Sequence, residues 1–156
     1  MAAPKKKQNH KPGARSLARL LAVQALYLLR MNKDATTAGV LDDLRKMSPG
    51  EGDGTLPFSR VDQDFFTDLV TGVSKSASAI RENLDKVLKG SWKYGRLEMV
   101  LASIMDAGVY ELLYRPDVPR AVIINEYVDV THAFYQGKEP GFVNGILDEL
   151  AKTIRS

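Results

Sequence analysis

The sequence contains no cysteine, so neither a disulfide nor a thiolate metal site is open to it. A chain without cysteine suits a reducing cytoplasm. Histidine is nearly as scarce, with only His10 and His132, far apart in sequence. A metal centre needs three or four converging ligands, and no His, Asp or Glu set is spaced to supply them. Apolar runs are short: none approaches the roughly 18 residues of a membrane span, and Gln24 interrupts the one near the N-terminus. That region also lacks the small-residue cleavage site of a secretory signal. Period-2 runs of strand length are missing, which argues against a sheet. Finally, no acid occurs before Asp34.

That last absence shapes the charge pattern. Residues 1–33 carry eight cations: Lys5, Lys6, Lys7, Lys11, Arg15, Arg19, Arg30 and Lys33. Net charge is only +3, so the remainder of the chain is acidic. A basic head on an acidic body points to a polyanion near the N-terminus, with a purely solubilising tail as the alternative.

What is present suits an all-α domain. The 156 residues match one domain, and 44% hydrophobic content supports a sizeable core. Residues 1–13, with no apolar residue beyond Met1, Ala2 and Ala3 apart from two prolines, and with one glycine, read as a disordered basic tail. The helical domain is expected over 14–156. Its first helix runs from about Ala14 to Asn32. Leu17, Leu20, Leu21, Ala25, Leu28 and Leu29 form one face, and Arg15, Arg19, Arg30 and Lys33 a basic stripe opposite.

A short helix is expected at Thr37–Lys46, then a Gly/Pro-rich loop over 48–59. Asp62 is placed to cap a helix continuing to about Leu88, although Gly72 and the Ser74–Ser78 run weaken it. Gly90–Gly95 reads as a turn with two aromatics. A helix follows from about Arg96 to Tyr114, with Gly108 on its apolar stripe where another helix can approach. Pro116 ends it and Pro119 opens the next, which Gly137 closes. The last helix covers about Pro140–Ile154. Long amphipathic segments with short links give a bundle of about six to seven helices.

Catalytic chemistry finds little footing. Asp62, Asp64 and Asp68 sit where the helix dipole and capping favour acids. The Gly137–Gly141 segment lacks the phosphate-loop spacing, and Ser16 has no activating neighbour in sequence. No cofactor is implied. Asn125 and Asn144 lie among apolar residues and read as buried amides bonded to backbone where helices meet, with Gly145 permitting close approach. RNA binding has more support. Lys and Arg attract phosphates, and a single strand also uses aromatic faces. Tyr27 borders the basic stripe and Phe142 starts the last helix, though either ring also suits the core.

Several stretches resemble the NusB family, over about Ala14–Ile154: AVQALYLL (22–29) behind Arg15 and Arg19, DFFTDLVTG (64–72), and Tyr110-Glu111-Leu112. The most specific are DVPRAVIINEYVDVTHAF (117–134) and FVNGILDELAK (142–152). The resemblance implies two three-helix subdomains and a non-enzymatic RNA-binding role. It implies binding to boxA RNA with a small-subunit ribosomal protein, NusE, in an elongation complex that reads through terminators, chiefly in ribosomal RNA operons. The candidate RNA contacts are Lys5, Lys6, Lys7, Lys11 and Tyr27 from the charge pattern, Arg15 and Arg19 from both the charge pattern and the family's lead-in, and Phe142 chiefly from the resemblance of FVNG. Two departures stand out. The arginine-rich lead-in is thinned to ARSLAR (14–19), and Asp106 occupies a position where the family often has a basic residue. The rival reading is a helical structural module that pairs with a second copy as a homodimer.

Overall fold

The computed structural model describes residues 13–46 and 58–155. The expected tail, with Lys5, Lys6, Lys7 and Lys11, and most of the 48–59 loop lie outside the described residues. Seven helices and no strand occur among the described residues: α1 Ala14–Met31, α2 Thr37–Lys46, α3 Gln63–Lys75, α4 Ala77–Val87, α5 Met99–Tyr114, α6 Arg120–Phe134 and α7 Glu139–Ile154.

Local chemistry sets the boundaries. Thr36 Oγ1 accepts the Gly39 N–H at 3.0 Å at the start of α2, and Asp62 caps α3 by accepting the Phe65 N–H at 3.0 Å. The helix expected to run on to Leu88 instead breaks at Ser76, which closes α3 and opens α4. Ser74 Oγ donates to the Val70 carbonyl at 3.0 Å just before the break. Such back-bonding to the fourth preceding carbonyl weakens a helix. The link before α5 is two short 3-10 turns, Gly90–Trp92 and Tyr94–Arg96, and Gly90 takes the left-handed φ of +60° that glycine tolerates. Glu98 accepts the Val100 N–H, so α5 starts at Met99 and not at Arg96.

α5 is the axis of the fold. From Leu101 to Leu112 every residue is buried, including Ser103, Asp106 and Glu111. A helix enclosed on all sides shows no polar stripe to read. α1 packs on α2, α3 and α5, while α4, α6 and α7 pack around the rest of α5. Gly108 does allow close approach: a Cβ there would lie 2.9 Å from Leu147 of α7. At the C-terminal end of α5, Arg155 donates to the carbonyls of Leu112, Val118, Glu111 and Arg115 at 2.8–3.1 Å. One guanidinium thus ties the end of α5 to the link before α6; the carbonyls of Glu111 and Arg115 also accept the backbone N–H groups of Arg115 and Val118.

The two asparagines and Gly145 overturn their expected roles. Asn125 and Asn144 are exposed, and nothing lies within 4 Å of a Cβ placed on Gly145. The inward face of α7 is instead Pro140, Val143, Leu147, Leu150 and Ala151.

Candidate nucleic-acid interface

Arg15 stands in the first turn of α1 with 45% of its side chain exposed. Its guanidinium lies 4.5 Å from the centre of the Phe65 ring and makes long ion pairs to Asp62 (3.5 Å) and Asp117 (3.8 Å). Arg115 covers the same ring at 4.8 Å and is held by Asp117 (2.9 Å) and Asp68 (3.0 Å). The hydrogen bond from Arg115 lowers the Asp117 carboxyl below its usual range. Arg15 is therefore an accessible cation on loose partners, while Arg115 is committed.

Arg19 departs from the solvent-facing stripe. It is 3% exposed, and donates to both Glu111 oxygens at 2.7 and 3.0 Å and to Glu126 at 3.0 Å. Glu111 is fully buried and also accepts from Tyr127 Oη at 2.5 Å. Ser16 adds a 2.6 Å bond to Glu126. Burial alone would lower the proton affinity of the guanidinium, but the bond and charge of Glu111 outweigh it and raise the pKa. A guanidinium this enclosed has no free edge for a phosphate. Helical periodicity puts Arg19 outside because its acidic partners are far away in sequence.

Arg30 is likewise turned inward. It pairs with Asp106 of α5 and the Tyr94 hydroxyl, which itself bonds Asp106 at 2.9 Å. The Tyr94 ring has the Arg81 guanidinium 4.3 Å from its centre and that of Arg30 at 5.3 Å. Burial raises the Asp106 pKa against the opposing pull of Arg30. The acid at this position is thus an internal anchor for the turn before α5.

Tyr27 is half-buried on α1. Phe142 is also half-buried, and its ring stacks on Trp92 with centroids 4.1 Å apart at 28°. The sequence does not single out Trp92, since its pairing with α7 arises only in the fold. The structure does not bring Phe142 beside Arg15. Arg15 reaches Asp117, just past the C-terminal end of α5, whereas Trp92 lies in the turns preceding its N-terminal end. The sixteen residues of α5 between them span about 24 Å. Among the described residues no three His, Asp or Glu groups are placed to hold a metal ion, and no helix is long and apolar enough to cross a membrane.

These features define a helical scaffold that offers separate polar and aromatic surfaces at its two ends. The NusB family model matches residues 16–152, and the chain belongs to the NusB family. Among its relatives, the transcription antitermination protein NusB of Rhodopseudomonas palustris (strain BisB18) is 38% identical, over 98% of this chain and 90% of that protein. The protein of the same name from Caulobacter vibrioides is 38% identical over 90% of this chain and 94% of its own. A solved T. maritima NusB shares the fold with a TM-score of 0.72 at 24% identity, covering 91% of this chain and 92% of that one. A crystal structure of antitermination factors NusB and NusE with double-stranded RNA gives 0.70 at 19% identity, covering 88% and 96%.

Proposed function

We propose that this protein is an RNA-binding transcription antitermination factor. It binds boxA-like single-stranded RNA together with the small-subunit ribosomal protein NusE, and acts in the cytoplasm within the elongation complex, chiefly on ribosomal RNA operons. Its role is binding, not catalysis. Family membership over residues 16–152 carries this reading. The curated relatives bear the antitermination name, and a solved neighbour combines NusB, NusE and RNA, in that case double-stranded.

Arg15 supports the reading as an exposed cation whose ion pairs are long enough to yield to a phosphate. The Lys5, Lys6, Lys7 and Lys11 side chains would extend the same attraction, and Tyr27 and Phe142 are the aromatic candidates. The test is a filter-binding titration with boxA-like, scrambled and duplex RNA, with and without NusE. Preference for the boxA-like strand, strengthened by NusE, is the expected result. Equal, weak binding of all three RNAs in both conditions would overturn it. The homodimer reading has one structural support, Leu28 and Met31 exposed at 42% and 56% at the end of α1. Sedimentation of the RNA-free protein tests it, with a concentration-dependent dimer as its required outcome.

A further inference from the structure

A second cationic surface lies on the part of the chain whose overall charge is acidic. Residues 86–97 contain Lys86, Lys89, Lys93 and Arg96 and no acid. All four are exposed. Among the described residues none of them forms an ion pair, which is also true of Lys33, Arg45, Arg60, Lys75, Arg120 and Lys138; these four differ in falling within one short run with no acid among them. Where such charges are held close, as Lys93 and Arg96 are by the cleft they share, they repel, and a bound polyanion relieves that repulsion.

The fold shapes this surface. Lys93 and Arg96 line a cleft of about 450 Å³ with Arg81, Asp85 and Leu88. Asp85 is tied to Arg81 at 3.2 Å, so it does not offset Lys93 or Arg96. Tyr94, between these two cations, is fastened to Arg30 of α1 and Asp106 of α5 and lies under Arg81 of α4. Three helices thus hold the turn in place, which lowers the ordering cost of binding. Trp92, at the end of the preceding turn, carries the stack with Phe142. Cations alternating with aromatic rings suit a nucleic-acid strand, with phosphates on the former and bases near the latter.

We propose that Lys86, Lys89, Lys93 and Arg96 form a second contact for the RNA backbone, distinct from the N-terminal end of α1. This rests on the RNA-binding reading above and gives it a second anchor, about one α5 length, ~24 Å, from Arg15. A strand joining the two over the outer helices needs at least about seven stacked nucleotides at ~3.4 Å each.

The experiment is RNA affinity against salt for the full chain, using a twelve-nucleotide boxA-like strand as probe. The wild type is compared with Lys93→Ala plus Arg96→Ala and, separately, Lys86→Ala plus Lys89→Ala, with thermal melts to verify folding. On a single strand, each cation withdrawn from a phosphate flattens the slope of log affinity against log salt by about 0.7, so either pair is expected to flatten it by about 1.4. Wild-type protein that fails to bind RNA overturns the RNA-binding reading itself. Wild type that binds while both folded pairs keep its slope and affinity overturns the second contact alone. An acidic protein partner at this surface would give that same negative result.

Discussion

Arg19 of α1 grips Glu111 of α5 through two guanidinium nitrogens, at 2.7 and 3.0 Å, across 92 residues of sequence. Glu111 is fully buried, so its charge depends on this partner and on Tyr127. Removing one side of a buried pair strands the other and costs about 3–5 kcal/mol, whereas replacing both by apolar groups is often near neutral. We therefore expect Arg19→Ala to destabilise strongly in urea unfolding and Arg19→Met plus Glu111→Leu to recover most of the loss. A double variant as unstable as the sum of the singles would contradict the pairing.

The same geometry separates two arginines that look equivalent in sequence. Arg15→Ala removes an exposed cation and is expected to flatten the salt dependence of RNA binding by about 0.7 in slope. Arg19→Ala, measured where it remains folded, is expected to keep the wild-type slope because its charge is already neutralised by Glu111 and Glu126. Equal flattening by both would show that Arg19 leaves its pocket to meet phosphate.

Asn144 and Phe142 provide a second contrast on one helix. Asn144 is exposed, so Asn144→Leu should change stability by no more than about 0.5 kcal/mol. Phe142→Ala breaks the stack on Trp92, an aromatic pairing that contributes about 0.5–1.5 kcal/mol beyond its buried area. Chemical denaturation of the two variants checks both values. A large loss for Asn144→Leu would place that amide back in the interior.

Gly72 faces Tyr110 so closely that a Cβ would lie 2.2 Å from the ring. Tyr110 cannot easily yield, because its hydroxyl is bonded to Asp68 at 2.8 Å. Gly72→Ala should destabilise by about 1–3 kcal/mol despite the better helix propensity of alanine. Adding Tyr110→Leu should relieve the clash. Calorimetry showing a higher Tm for Gly72→Ala alone would refute the contact.

Element type is readable because helical periodicity and local caps act over a few residues: α2 has the expected bounds and Asp62 caps α3 as its position implies. Long-range pairing is not. Arg19 on a helical wheel looks like Arg15, and only Glu111 and Glu126, brought in by the fold, distinguish them. Asn144 looks buried because its sequence neighbours are apolar, yet α7 turns Val143 and Leu147 inward and leaves Asn144 outside. The Lys86–Arg96 surface is visible as an acid-free run, but averaging charge over the whole body hides it.

Alkaline pH gives a prediction whose sign follows from three phenols. Burial, reinforced by the charge of Asp106, pushes Tyr94 up to about 12. Burial and the bond to Asp68 push Tyr110 up to about 12. Burial, with Glu111 adjacent, takes Tyr127 well above its ordinary value. An unfolded phenol ionises near pH 10. Between pH 10 and 12 the unfolded chain therefore holds fewer protons than the folded one, and stability falls as pH rises. The contribution of these residues is complete below pH 10 and lost as pH passes through about 12. Phenolate absorbance should show a late phase coinciding with loss of helical signal, and Tyr94→Phe should shrink that phase. All six tyrosines ionising in one step near pH 10, with the helices intact, would show that the Asp106, Asp68 and Glu111 contacts do not hold these protons in place.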